Sequence, residues 1–144
     1  MRLTRFIPLL FLFSCLDDPD CLPTNTNLVK IDFKNADGTA RTLSVIRITA
    51  SGLSSPLYSG ENVSAVQLPL NPNSAETTFT VVEAASSKTI SFRYAIVHRM
   101  VSEKCGAFAY YSDLEVTESD FTTTRVRNPF LLSNVSTANV EIFY

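Results

Sequence analysis

The chain has no tryptophan, one histidine, four glycines and three cysteines among 144 residues, and each shortage closes off some chemistry. One histidine gives a serine or cysteine hydrolase a single candidate base. It also leaves zinc, which takes three or four Cys, His or carboxylate ligands at short spacing, without a ligand set. Four glycines supply neither a phosphate-cradling loop nor many turns, so Asn, Asp, Ser and Pro must turn the chain. Ser51-Gly52 and Ser59-Gly60 lack the preceding glycine of a nucleophile elbow and read as loop residues. Blocks of basic residues are missing too. Removing Arg2 and Arg5 at the N-terminus from the 12 Lys and Arg leaves 10 against 14 acidic residues, a balance of −4, and those basic residues are scattered. That distribution argues against a nucleic-acid partner.

What is there begins with residues 6–13, "FIPLLFLF". This apolar run is shorter than the roughly 20 residues a membrane-spanning helix needs. Behind Arg2 and Arg5 it reads as a secretory signal peptide over 1–14. It ends in Leu12-Phe13-Ser14-Cys15, which resembles the bacterial lipobox, with Phe13 bulkier than the usual occupant of its position. The resemblance implies that the chain is cut before Cys15 and that this cysteine carries acyl chains. An ordinary signal peptide or an uncleaved anchor, with Cys15 an incidental thiol, is the alternative. Residues 15–26 then form a lipid-bearing, acidic tether, in which Asp17, Asp18, Pro19 and Asp20 favour an extended, solvated chain. Acids so close behind the cysteine resemble the surface-export signals of Bacteroidota lipoproteins; a plain spacer accounts for them equally well.

With Cys15 lipidated, Cys21 and Cys105 remain as a pair, and in an oxidising compartment one disulfide between them is expected. Closing so long a loop contributes up to about 4 kcal/mol in the chain-entropy view. Two reduced, buried thiols are the alternative.

From Leu28 onward the apolar residues recur with period two, so residues 27–144 read as an all-β domain. Residues 28–34 place Val29, Ile31 and Phe33 on one face and Lys30, Asp32 and Lys34 on the other. A turn at 35–38 follows, then a strand over 41–51 and a break at 52–56. Residues 63–70 alternate Val66, Leu68 and Leu70 with Gln67 and Pro69, the proline pointing to a sheet edge. Further strands are expected over 76–83, 89–102, 106–117, 121–127 and 138–144, with hairpin connections at 84–88 and 103–105. Residues 89–102 read as a central strand in which Ile90, Phe92, Tyr94, Ile96, His98 and Met100 share one parity. Seven to eight strands with regularly spaced turns point to an antiparallel, immunoglobulin-like β-sandwich.

Chemistry is sparse. His98 sits among apolar residues of its own parity, which favours a core or sheet-face position over a catalytic one. Asp113, Glu115, Glu118 and Asp120 read as acids in a connection between strands, where they aid solubility; their spacing fits no calcium loop. Tyr58, Tyr94, Tyr110 and Tyr111 can pack the sheets or form an aromatic platform, and Tyr58, Tyr110 and Tyr111 are the candidate binding surface. Asn62-Val63-Ser64 and Asn134-Val135-Ser136 match the glycosylation triplet, which a bacterial lipoprotein leaves bare. No catalytic, metal or cofactor site is expected.

Taken together, Cys15, Cys21, the strand leading into Cys105-Gly106, Tyr110-Tyr111 with Leu114, and the terminal "VEIFY" resemble a family of small uncharacterised Bacteroidota lipoproteins, among the domains of unknown function. The resemblance implies a lipid-anchored outer-membrane protein with a β-sandwich, and carries no activity with it. The expectation is a non-enzymatic binding or structural accessory module, periplasmic or surface-exposed. Its partners would be the membrane, through the anchor, and an envelope protein or glycan. A small hydrolase or carbohydrate-active domain, and an adhesin or assembly subunit working by strand addition, are the alternatives.

Overall fold

The computed structural model describes residues 27–131 and 137–144. The expected signal peptide, Cys15, Cys21, the tether and Asn134 lie outside them. The described residues contain nine strands and no helix: β1 Leu28–Lys34, β2 Leu43–Ala50, β3 Tyr58–Val63, β4 Ala65–Pro69, β5 Glu76–Glu83, β6 Ser87–Ser102, β7 Gly106–Ser119, β8 Thr123–Val126 and β9 Val140–Phe143. They form a sheet of order β4-β1-β9-β8 and a second of order β3-β2-β5-β6-β7.

Alternation decides which faces meet. In β1 the odd residues Val29, Ile31 and Phe33 are buried, and in β9 so are Val140 and Ile142. They join Val66 and Leu68 of β4 in one core with Leu43, Val45 and Ile48 of β2, Phe79 and Val81 of β5, and Ile90 and Phe92 of β6. The two sheets therefore pack face to face as a sandwich. Phe79 and Phe92 meet edge to face at 6.0 Å between ring centroids. A fully buried apolar side chain of this size contributes about 1.5–3 kcal/mol.

The turn after β1 shows how this glycine-poor chain reverses. Asn35 O accepts the Gly38 N–H at 2.9 Å, and Asp37 Oδ1 accepts both the N–H and the hydroxyl of Thr39, at 2.9 and 2.7 Å. Gly38 takes φ +87°, where a side chain would be strained. Pro69 does lie on an edge, since β4 is the outermost strand of its sheet.

Three expectations change. First, the sandwich is not wholly antiparallel, because β1 and β9 pair in parallel, Ile31 opposite Val140 and Phe33 opposite Ile142. The 105 or so residues between these strands make a parallel crossover sterically easy, and each places its apolar residues in the core. Second, Ser59-Gly60 is not a loop but part of β3, a strand the hydrophobic pattern hides because only Val63 of it is buried, and which brings the strands to nine instead of the expected seven to eight. Third, Asp113, Glu115 and Glu118 belong to β7 rather than to a connection.

Candidate functional site

The longest feature of the fold is a ribbon formed by β6 and β7. Pairing of β5 with β6 ends at Glu76 opposite Arg93, whereas pairing of β6 with β7 continues to Ser102 opposite Gly106. Residues 95–102 and 106–112 therefore run on as a two-stranded arm, after an irregularity at Arg93/Ala95 that bends the pair. At its tip the Cys105 N–H donates to Ser102 Oγ at 3.0 Å, and Gly106 takes φ +73° to close the turn. Cys105 is half-buried there.

Period two gives the ribbon two faces. Val97 lies opposite Tyr110 and Arg99 opposite Phe108, so these four share one face, with the Arg99 guanidinium 5.6 Å from the Tyr110 ring centroid. The other face carries Ile96, His98 and Met100 opposite Tyr111, Ala109 and Ala107. Near the sandwich this second face is core: Ile96 and Ala109 pack against it and Tyr111 is only 4% exposed. Farther out no described residue covers it, and Met100 is 72% exposed; on the first face Val97 is 46% exposed.

The three tyrosines expected to share a surface do not. Tyr111 is buried against Tyr94, their rings 5.6 Å apart, and burial holds both phenols above the usual tyrosine range. Tyr94 also donates to Asn71 O at 2.9 Å and shares a 2.7 Å hydrogen bond with Thr77 Oγ1. Tyr58 stands at the opposite edge of the sheet on β3, where its hydroxyl accepts the Gln67 N–H at 3.2 Å. It lines a shallow cleft of about 380 Å³ with Lys30, Asp32 and Gln67. Of the three, Tyr110 alone lies on the ribbon's outer face.

The residues of the hydrolase alternative are likewise dispersed. His98 is exposed on the ribbon across from Ala109. Asp120 is at the opposite end of β6, where Oδ2 accepts the Thr89 N–H at 2.8 Å and its hydroxyl at 2.6 Å; these bonds hold its carboxyl below the usual range. Glu115 binds Arg93 at 2.9 Å. Asp113 takes φ +54° beside an irregularity of β7, its carboxylate accepting the Ser112 hydroxyl at 3.1 Å. Among the described residues no three of His, Cys, Asp and Glu gather in a way that could hold a metal ion.

A cluster at the far end of the sandwich from the ribbon escaped the sequence reading. The Tyr144 hydroxyl donates to Glu83 Oε1 at 3.0 Å, and its ring lies 4.4 Å from both the Arg41 guanidinium and Lys88 Nζ. Phe33 and Phe121 meet the same ring edge-on at 6.3 and 5.5 Å. Burial, reinforced by the Glu83 charge, pushes the Tyr144 phenol far above its ordinary range. The parity of Val140, Ile142 and Tyr144 was the signal available; the partners come from three other segments.

Neither a curated protein nor a solved structure matches this chain. Residues 42–144, from the start of β2 through the ribbon to the last residue, match a family of unknown function, and the chain belongs to that family, DUF6452.

Proposed function

We propose that this protein is a lipid-anchored envelope lipoprotein of the Bacteroidota type, a non-enzymatic binding or structural accessory module held to an outer membrane through Cys15. An immunoglobulin-like sandwich is the fold that accompanies this reading, and a membrane and an envelope protein or glycan are its partners. The observation that carries it is the ribbon: an arm with uncovered apolar side chains and Cys105 at its tip is built to make contact outside its own domain.

Chain reach supports a Cys21–Cys105 bridge. Asn27, the first described residue, exchanges hydrogen bonds with Leu70, whose neighbour Asn71 accepts from Tyr94. The described chain thus begins at the end of the domain from which the ribbon leaves. Six residues from Cys21 to Asn27 span about 20 Å extended, and a disulfide adds about 5–6 Å between Cα atoms. The ribbon's overhang, residues 95–102, is about 25 Å at the usual strand rise, so the lengths match.

The test is the intact mass of protein purified from its native envelope, before and after reduction and thiol alkylation. A species beginning at Cys15, heavier by acyl chains and gaining two alkylated thiols only after reduction, is expected. An unacylated chain with three reactive thiols would overturn the reading.

A further inference from the structure

We propose that the ribbon tip is a membrane-contacting element, which enters the bilayer interface end-on beside the lipid anchor and carries Met100 on one face and Val97, Phe108 and Tyr110 on the other. This deepens, and rests on, the lipoprotein reading above.

Length makes the first part of the case. Cys21 lies only six positions after Cys15, a reach of about 20 Å when fully extended. With Cys21 bridged to Cys105, the tip of the ribbon is held within that distance of the acylated residue, closer than any part of the sandwich core can be fixed. The short acidic tether, instead of letting the domain wander, delivers one chosen end of it to the lipid surface.

Composition makes the second part. Met100 is 72% exposed and Val97 46%, on opposite faces of the arm, so the tip is apolar on both sides and not on one side alone. A protein groove covers one face of a ribbon; an interface that the tip enters end-on wets both. Phe108 and Tyr110 are aromatic, and Arg99 lies over the Tyr110 ring, an arrangement suited to the headgroup region, where an apolar body and a polar end are both satisfied.

The absence of tryptophan supplies a clean probe. The acylated protein is prepared as Met100→Trp, and as Ala85→Trp in the exposed β5–β6 hairpin at the other end of β6, and each is placed in phosphatidylethanolamine/phosphatidylglycerol vesicles with and without bromine-labelled acyl chains. Matched thermal melts show that both variants fold. The expected result is blue-shifted Met100→Trp emission that the bromine label quenches, with Ala85→Trp unshifted and unquenched. Equal, weak quenching of both variants on vesicle-bound, acylated protein overturns the contact while leaving the anchor intact. A blue shift that grows with protein concentration and ignores the bromine label assigns the patch to a second copy and overturns the bilayer as occupant. A chain whose mass shows no acylation overturns the anchor and this inference together.

Discussion

Asn139 Oδ1 accepts the backbone N–H of Lys30 at 2.9 Å, joining the start of β9 to β1 across 109 residues of sequence. Its Nδ2 donates to the carbonyls of Asn128 and Phe130, at 3.1 and 2.9 Å. Its backbone N–H donates to Lys30 O at 2.8 Å, while its carbonyl accepts from Arg127. One buried side chain, 4% exposed, therefore fixes where the parallel pair begins and ties the 128–130 segment to it. Among the described residues no buried side-chain nitrogen or oxygen lacks a partner.

Asn139→Leu keeps the bulk and strips all three side-chain hydrogen bonds, leaving the part-buried Lys30 N–H and two carbonyls without their partner. A loss of about 2–4 kcal/mol is expected, read as a lowered urea midpoint at unchanged slope. A change below about 0.5 kcal/mol would mean that water replaces the asparagine and that the parallel pair is held by apolar packing alone.

Tyr144 predicts a pH dependence. Its phenol is held above the ordinary value of 10, first by burial and then by Glu83, so the folded state keeps a proton that the unfolded chain releases near pH 10. The stabilisation is complete below pH 10 and falls as the pH rises from there. The slope for this one proton is at most about 1.4 kcal/mol per pH unit, and partial exposure, by screening the Glu83 charge, narrows the pH range over which it acts. Tyr144→Phe keeps the ring under Arg41 and Lys88 and costs about 1 kcal/mol at neutral pH through the lost hydrogen bond. Above pH 10 its stability should fall less steeply than that of the parent, though Tyr94 and Tyr111, also raised by burial, keep some slope in both. Parallel alkaline limbs would remove the assigned role of the phenol.

Much of the fold was legible because burial and alternation coincide. Val29, Ile31 and Phe33 face the core as their spacing says, and β5 spans Glu76–Glu83 as the pattern predicts. β3 was hidden because an edge strand wet on both faces has no apolar period to read, with Glu61 and Asn62 exposed and Gly60 at φ +68°. The parity of β6 was read correctly, but parity does not say where a sheet runs out of cover: His98 and Met100 share a face with Phe92 and yet lie in solvent. The Tyr144 cluster joins Arg41, Glu83 and Lys88 from distant segments, a proximity that only the closed sandwich creates.

The adjacent pair Tyr110-Tyr111 could have been separated from sequence alone, since neighbours on a strand point to opposite faces. The structure puts Tyr111 inside against Tyr94 and Tyr110 outside beneath Arg99. Tyr111→Ala should therefore cost about 3–5 kcal/mol, as large aromatic deletions from cores do, and Tyr110→Ala about 1 kcal/mol or less. Chemical denaturation of both variants checks it. Equal costs would place Tyr110 under a cover that the two faces of the ribbon do not show.

The terminal strand decides between packing and donation. An adhesin that works by strand addition needs a strand that its own domain can release, or an open edge that accepts one. β9 is neither, because it is interior to its sheet, flanked by β1 and β8, with Val140 and Ile142 fully buried. Releasing it would also break the Asn139 contacts to Lys30 and lift Tyr144 from beneath Arg41 and Lys88. Removing residues 140–144 should thus abolish cooperative unfolding altogether, since two fully buried aliphatic residues and both inner edges of the four-stranded sheet go at once, a loss comparable with the whole stability of a small domain. Near-ultraviolet circular dichroism and a urea titration of the truncated chain read this directly. A truncated domain that stays folded, and binds a synthetic peptide of residues 138–144 in place of its own strand, would show that β9 is exchangeable and would favour strand addition through the terminal strand.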